Sequence, residues 1–141
     1  MFEQLVAFYR DDAGWPVAVD KDNQILSVRY ANEGVEWVFV GTVDEPTRIL
    51  TLFSRAPEPC PADRRAAMCE QLIRLNWGMT HGAWDMDLDD GEIRYRTGTD
   101  LAGYELSPSL VQNLTNYNLA TMATFLPIIR AVIAGEAPRD V

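Results

Sequence analysis

The stretch that most constrains this chain runs from Ala83 to Thr97, where apolar and charged residues alternate around an Asp-Gly pair. Trp84, Met86 and Leu88 alternate with Asp85, Asp87 and Asp89 before Asp90-Gly91; Ile93, Tyr95 and Thr97 alternate with Glu92, Arg94 and Arg96 after it. Side chains of a strand point to opposite faces with a period of two, so this pattern predicts a hairpin with one apolar and one charged face. Asp-Gly tolerates the positive φ that a two-residue type I′ turn needs at both central positions. With Asp90-Gly91 as that turn, Leu88 pairs with Ile93, Met86 with Tyr95 and Trp84 with Thr97. On the other face Asp87 meets Arg94 and Asp85 meets Arg96. A slip of one residue would set charges against apolar partners, which opposes it.

Phe2, Leu5, Val6 and Tyr9 fall at helical spacing, so residues 2–11 form a short helix, stopped near Gly14. Strands are predicted over 25–31, 35–43 and 47–55, rich in β-branched and aromatic residues and separated by Asn32-Glu33-Gly34 and Asp44-Glu45-Pro46. The proline-rich APEPCP at 56–61 breaks the sheet. Residues 63–76 form a helix with Met68, Leu72 and Leu75 on one stripe, and the hairpin follows. Ser107-Pro108 opens the longest helix, with Ser at the N-cap and Pro where its missing N–H costs nothing. Its stripe is Leu110, Leu114, Tyr117, Thr121, Phe125, Ile128 and Val132, widened by Val111, Met122 and Ile129. The fold class is therefore α+β, in the order α-β-β-β-α-β-β-α: an antiparallel five-stranded sheet with helices packed on one face, in one domain over 1–141.

The second and third predicted strands carry a second signal. Trp37 and Phe39 mark one face of 35–43, yet Val38 and Val40 opposite them are also apolar. In the next strand Ile49 and Phe53 oppose Leu50 and Leu52. A sheet with one solvated face alternates cleanly, so the face carrying Val38, Val40, Ile49 and Phe53 is a candidate partner-binding face. It is expected to be covered by a subunit, by a partner or by residues 1–23 folding back.

Charge narrows the partners. A formal net charge of −9 on 141 residues argues against nucleic acid, whose phosphates need clustered Lys and Arg, and against anionic membrane surfaces. The N-terminus lacks a basic leader region, and no apolar run approaches the roughly 18 residues that span a bilayer. Cys60 and Cys69 lack the spacing of a disulfide framework or a CxxC motif. These features place the chain in the cytoplasm.

No catalytic, cofactor or metal residues are assigned. Asp85, Asp87 and Asp89 resemble the start of a calcium loop, but the sixth and twelfth positions, which need Gly and Glu, hold Asp90 and Arg96. His81, the single histidine, lies in a loop with no nucleophile motif beside it and reads as an exposed imidazole. Cys69 reads as a buried inert thiol. Cys60 lies in a loop with only Arg64 and Arg65 nearby to activate it. The glycines lack phosphate-loop spacing. The four tryptophans read as core residues, with a pocket lined by Trp15, Trp37 or Trp77 as the rival.

From Leu72 to Thr99, a helix ending in Leu75-Asn76 leads through a glycine-bearing loop into an aromatic-acidic strand. That strand turns through Asp-Gly into Ile93-Arg94-Tyr95-Arg96. With the late Phe125-Leu126-Pro127 and the order of elements, this resembles the YbjN-like proteins, which share the fold of the class I type III secretion chaperones. The resemblance spans about Ile25 to Gly135. It implies a non-enzymatic, often dimeric, chaperone-like or regulatory protein that binds another polypeptide, and it carries over no site residues. A small-ligand carrier or enzyme, with a pocket between sheet and helices, is the alternative.

Overall fold

In the computed structural model, which describes residues 1–140, the chain opens with α1 (Phe2–Ala7), continued by a π-helical turn over Phe8–Asp12. Four strands follow: β1 (Ala18–Asp20), β2 (Ile25–Asn32), β3 (Val35–Asp44) and β4 (Ile49–Arg55). Then come α2 (Arg65–Trp77), β5 (Ala83–Met86), β6 (Ile93–Asp100) and α3 (Pro108–Ile133). The strands form one antiparallel sheet in the order β1-β2-β3-β4-β6-β5. The sheet has six strands, not five. The extra strand β1 is only three residues long, too short for its alternation to stand out from the loop around it.

The fold class stands as read: α+β, antiparallel, with the helices on one face. That face carries Leu26, Phe39, Leu50, Leu52, Ile93 and Tyr95, none of which retains exposed surface. α3 lies over β4 and β6, and α2 lies against β5. α1 adds Phe2, Leu5 and Val6, and the π-turn adds Tyr9, whose hydroxyl meets Thr115 of α3 at 2.6 Å.

The hairpin register differs from the predicted one by two residues. Trp84 pairs with Tyr95, Asp85 with Arg94 and Met86 with Ile93. Asp90-Gly91 is therefore not a two-residue turn but the second half of a four-residue loop, Leu88–Gly91. Asp87 N–H donates to the Glu92 carbonyl across its base at 2.9 Å. A two-residue shift leaves every side chain on its predicted face, so alternation alone could not choose between the registers. Tertiary contacts choose. The Arg65 guanidinium holds the Leu88 and Asp89 carbonyls, and Cys60 N–H donates to the Gly91 carbonyl at 2.8 Å. Gly91 has φ +81°, and a Cβ there would lie 2.1 Å from the Cys60 carbonyl oxygen, so the close approach needs glycine.

α3 is rotated relative to the predicted stripe. Ser107 caps it through Leu110 N–H at 3.2 Å, and it runs through Pro127 as one helix. Its buried residues are Val111, Leu114, Thr115, Asn118, Leu119, Thr121, Met122, Leu126, Ile129 and Val132, which keep Leu114, Thr121, Val132 and the expected widening, whereas Tyr117 is 39% exposed and Phe125 and Ile128 are half-buried. The residue that rotates it is Asn118, fully buried and polar. Its amide N–H groups reach Thr97 Oγ1 at 3.0 Å and the Leu52 and Tyr95 carbonyls, while its oxygen accepts from Ser54 Oγ at 2.6 Å.

Truncation should separate the two stripes. Asn118→Ala should cost roughly 2–5 kcal/mol, because it strands several buried partners at once. Tyr117→Ala should cost only about 1 kcal/mol, the scale of a partly exposed aromatic contact. Chemical denaturation of both variants checks the order, and equal losses would contradict the rotation.

Candidate functional site

The face of the sheet turned away from the helices is built in rows across the strands. One row runs Arg29, Val38, Arg55, Arg94 and Asp85, and the next Ser27, Val40, Phe53, Arg96 and Ala83. A third runs Asp20, Ile25, Thr42, Thr51 and Gly98, and a fourth Asp44, Ile49 and Asp100. The four residues predicted to form a partner-binding face, Val38, Val40, Ile49 and Phe53, all lie here. Ile49 is 42% exposed, and the other three are half-buried by their neighbours. Residues 1–23 pack elsewhere, with α1 and Tyr9 in the helix layer and β1 at the sheet edge, so that fold-back does not occur.

Ion pairs frame the apolar centre. Asp85 meets Arg94 at 3.2 Å and Arg96 at 2.9 Å, Arg55 meets Glu92 at 2.6 Å, and Arg29 meets Glu36 at 3.1 Å. The Asp85–Arg96 contact predicted from sequence therefore forms, but as a diagonal, and Asp87 has no arginine partner. The Arg94 guanidinium lies 4.2 Å over the Phe53 ring, a cation–π contact that lays its stem across the apolar patch. Burial acts to raise the Asp85 pKa, yet Arg96 and Arg94 together outweigh it and hold the carboxyl below its ordinary 3.8.

The other singled-out residues are scattered. His81 is half-buried rather than exposed. Its ring packs edge-on against Tyr117, its Nε2 is enclosed without a hydrogen-bond partner, and its carbonyl accepts from Tyr95 OH at 2.6 Å. Cys60 is buried, and burial pushes its thiol pKa up against the weaker pull of Arg65 and Arg64. Cys69 is only half-buried. Asp87 and Asp90 accept backbone N–H groups of their own loop. Among the described residues no three His, Cys, Asp or Glu side chains gather as metal ligands would, and no helix is long and apolar enough to cross a membrane.

Trp37 and Trp84 fill the core, but Trp77 is 93% exposed on α2 beside Ile73, at 69%. Both stand off the Met68-Leu72-Leu75 stripe, a phase that was readable in the sequence. The layer between sheet and helices is filled by side chains. One hollow of about 500 Å³ lies at the rim, lined by Phe2, Val6, Arg10, Val19, Lys21 and Glu45, and one of about 450 Å³ opens on the uncovered sheet face beside Ile49, Thr51, Arg96, Gly98 and Asp100.

Six antiparallel strands with three helices on one face define the class: an α+β protein with the type III secretion chaperone-like fold. The chain is similar in structure to the ExsC–ExsE complex (TM-score 0.66, 14% identity, covering 88% of this chain and 90% of that one). It is also similar to the HopA1–SchA chaperone–effector complex (TM-score 0.57, 13% identity, covering 89% and 94%). The YbjN family model, described as "Putative bacterial sensory transduction regulator", matches residues 4–131, and the chain belongs to that family. Comparison with curated proteins finds no match.

Asp85 gives the face a signature in acid. A carboxyl with a lowered folded pKa contributes stability that is present above its ordinary value of 3.8 and is lost as pH falls through the lowered one. Asp85→Asn should therefore melt below wild type at neutral pH, and the gap should close on acidification below that value. Thermal melts across that range check it; a constant gap would show that the carboxylate charge does not matter.

Proposed function

We propose that this chain is a non-enzymatic protein-binding module, chaperone-like or regulatory, that works in the cytoplasm as a homodimer and acts as one domain over 1–141. The observation that carries the proposal is the open sheet face, whose apolar centre of Val38, Val40, Ile49 and Phe53 the chain's own helices leave uncovered. A two-sided apolar pattern on a sheet covered on one side only is what an interface requires. Two further supports come from similarity: both structures described above are complexes of one protein with another, and the family is described as regulatory. The net charge of −9 favours a polypeptide over nucleic acid or an anionic membrane, and the reading needs no cofactor or metal. The rival reading, a ligand pocket between sheet and helices, has its space occupied by Leu26, Phe39, Leu50, Leu52 and Tyr95.

Affinity capture from a native cell extract, read by mass spectrometry, tests the function. Wild type should retain a small set of polypeptides in near-stoichiometric amounts. Phe53→Asp, shown to be folded by circular dichroism, should retain them at least tenfold less. An empty capture, or the same set on the variant, would remove the basis for a binding module that uses this face.

A further inference from the structure

A hollow of about 370 Å³ opens between the π-helical turn and the first turns of α3, lined by Phe8, Asp12, Trp15, Gln112, Thr115 and Asn116. Two rings form its apolar wall, and the backbone fixes both. Ala13 N–H donates to the Phe8 carbonyl at 2.9 Å, the wide bond that defines the π-turn and brings Asp12 round to the side of Phe8. Turns of this kind are rare and frequent at functional sites. Gly14, at φ +71°, then turns the chain back, and Trp15 N–H donates to the Tyr9 carbonyl at 2.8 Å. The Trp15 indole stacks on the Tyr9 ring at 5.2 Å, and Phe8 meets the same ring edge-on at 5.2 Å. Both Phe8 and Trp15 remain only half-buried. The polar side is Asp12, with no cationic partner among the described residues, and no Lys or Arg lines the hollow. Arg10 pairs with Asp11 at 3.6 Å and lines the hollow beside Glu45 instead. Gln112 and Asn116, exposed and one turn apart on α3, add two carboxamides.

We propose that this hollow binds a guanidinium group, stacked against the Trp15 and Phe8 rings and donating to the Asp12 carboxylate and the Gln112 and Asn116 carboxamide oxygens. Asp12 repels an anion, and a purely apolar ligand would desolvate that carboxylate without repaying it. An ammonium would meet the charge alone. Guanidinium is planar, sheds water more readily, stacks on aromatic faces and presents its donors in a fork that matches a carboxylate. The positive end of α3 opposes a cation, but weakly. Pro108 brings no N–H, Ser107 takes up the Leu110 N–H, and the effect fades beyond the first turn, whereas Gln112 and Asn116 stand in the second and third. The chain's net charge of −9 draws cations toward it. Ligand pockets start at about 300 Å³, so this one takes a single side chain or a small molecule rather than a folded element. The site lies on the helix side of the sheet and does not depend on the reading of the open face.

Two-dimensional proton–nitrogen NMR on the full chain, at constant ionic strength, tests this with two probes that separate the sources of the group. n-Butylguanidinium stands for a free small molecule, and a Gly-Gly-Arg-Gly-Gly peptide blocked at both ends stands for an arginine of another polypeptide. Their neutral counterparts, n-butylurea and the citrulline peptide, keep the shape without the charge. At least one probe should shift the Trp15 indole N–H, identified by its loss in Trp15→Leu, together with the amides of 8–15 and 112–116. Half-saturation should fall in the millimolar range, the scale of a ligand with about eight heavy atoms. The neutral counterpart should bind at least tenfold more weakly. So should the cation to Asp12→Asn, whose spectrum also shows that the variant is folded. A tighter peptide assigns the site to an arginine of a polypeptide and a tighter free cation to a soluble ligand; either supports it. No saturation by either probe up to about 20 mM would overturn the proposal. Neutral counterparts that bind equally well would do the same, as would shifts spread over the exposed acids and unchanged in Asp12→Asn. n-Butylammonium that binds as tightly as n-butylguanidinium would overturn the choice of group.

Discussion

A single buried amide determines where the longest helix can sit. Asn118 has no exposed surface, and every polar atom of its side chain is used against β4 and β6. Ser54, which donates to it, accepts in turn from the Trp37 indole N–H at 3.0 Å, so the chain of bonds runs from α3 through β4 to β3. Left unpaired, each such group costs on the order of 1–3 kcal/mol, and the bonds polarise one another in a dry interior. Turning α3 by one residue would forfeit all of them together, which its apolar neighbours could not repay. The position of α3 then places Thr115 under Tyr9. Thr115 gives its own proton to the Val111 carbonyl at 2.7 Å, so the Tyr9 hydroxyl is the donor between them. Burial pushes the Tyr9 pKa up, and the Thr115 bond only partly reverses this, so Tyr9 stays a neutral donor.

α2 uses side-chain amides in a different way, as substitutes for strand backbone. Asn76 accepts from Trp84 N–H at 2.7 Å and donates to the Trp84 carbonyl at 3.1 Å, which ties the end of the helix to β5. Gln71, also fully buried, makes the same two-way contact with the backbone of Arg139, at 2.9 Å each way. One carboxamide offers a donor and an acceptor at nearly the spacing of a peptide unit, so it satisfies both groups of one residue without a neighbouring strand. β5 can therefore be four residues long and still be held on both sides.

These amides explain why some of the fold was legible in the sequence and some was not. Element types follow from periodicity, and seven of the eight expected helices and strands need no correction beyond their ends; the last, the hairpin arm at Ala83, is shorter than its pattern. The faces of the hairpin were readable because a strand's period is two, but its register was not, because a shift of two preserves every face. The deciding contacts come from Arg65 and Cys60, far off in sequence. The α3 stripe was ambiguous in a similar way. Leu114, Thr121, Val132 and the widening residues Val111, Met122 and Ile129 are buried as expected, but Asn118 and Leu126 take the places expected of Tyr117, Phe125 and Ile128, and nothing local marks an asparagine as a core residue. The uncovered face was visible in Val38, Val40, Ile49 and Phe53 because it depends on pattern alone. The arginines that frame it needed coordinates, since Arg29, Arg55 and Arg94 share a row only once four strands are in register.

Seven of the eleven arginines fall into two groups that differ in what they bond. Arg48 donates to the Leu101 and Tyr104 carbonyls, Arg64 to those of Val132 and Glu136, and Arg65 to those of Cys60, Leu88 and Asp89. Each grips a connection or a helix end whose carbonyls have no strand or helix to bond with, a task that suits the rigid fork of guanidinium better than an ammonium. The second group, Arg29, Arg55, Arg94 and Arg96, stands on the open face and bonds side chains rather than backbone. Exposed pairs of this kind add little to folding, about 0–1 kcal/mol each. These four arginines pair with Glu36, Glu92 and Asp85 around an apolar centre, and Arg94 adds a contact over the Phe53 ring, so what they contribute within the face is local and small.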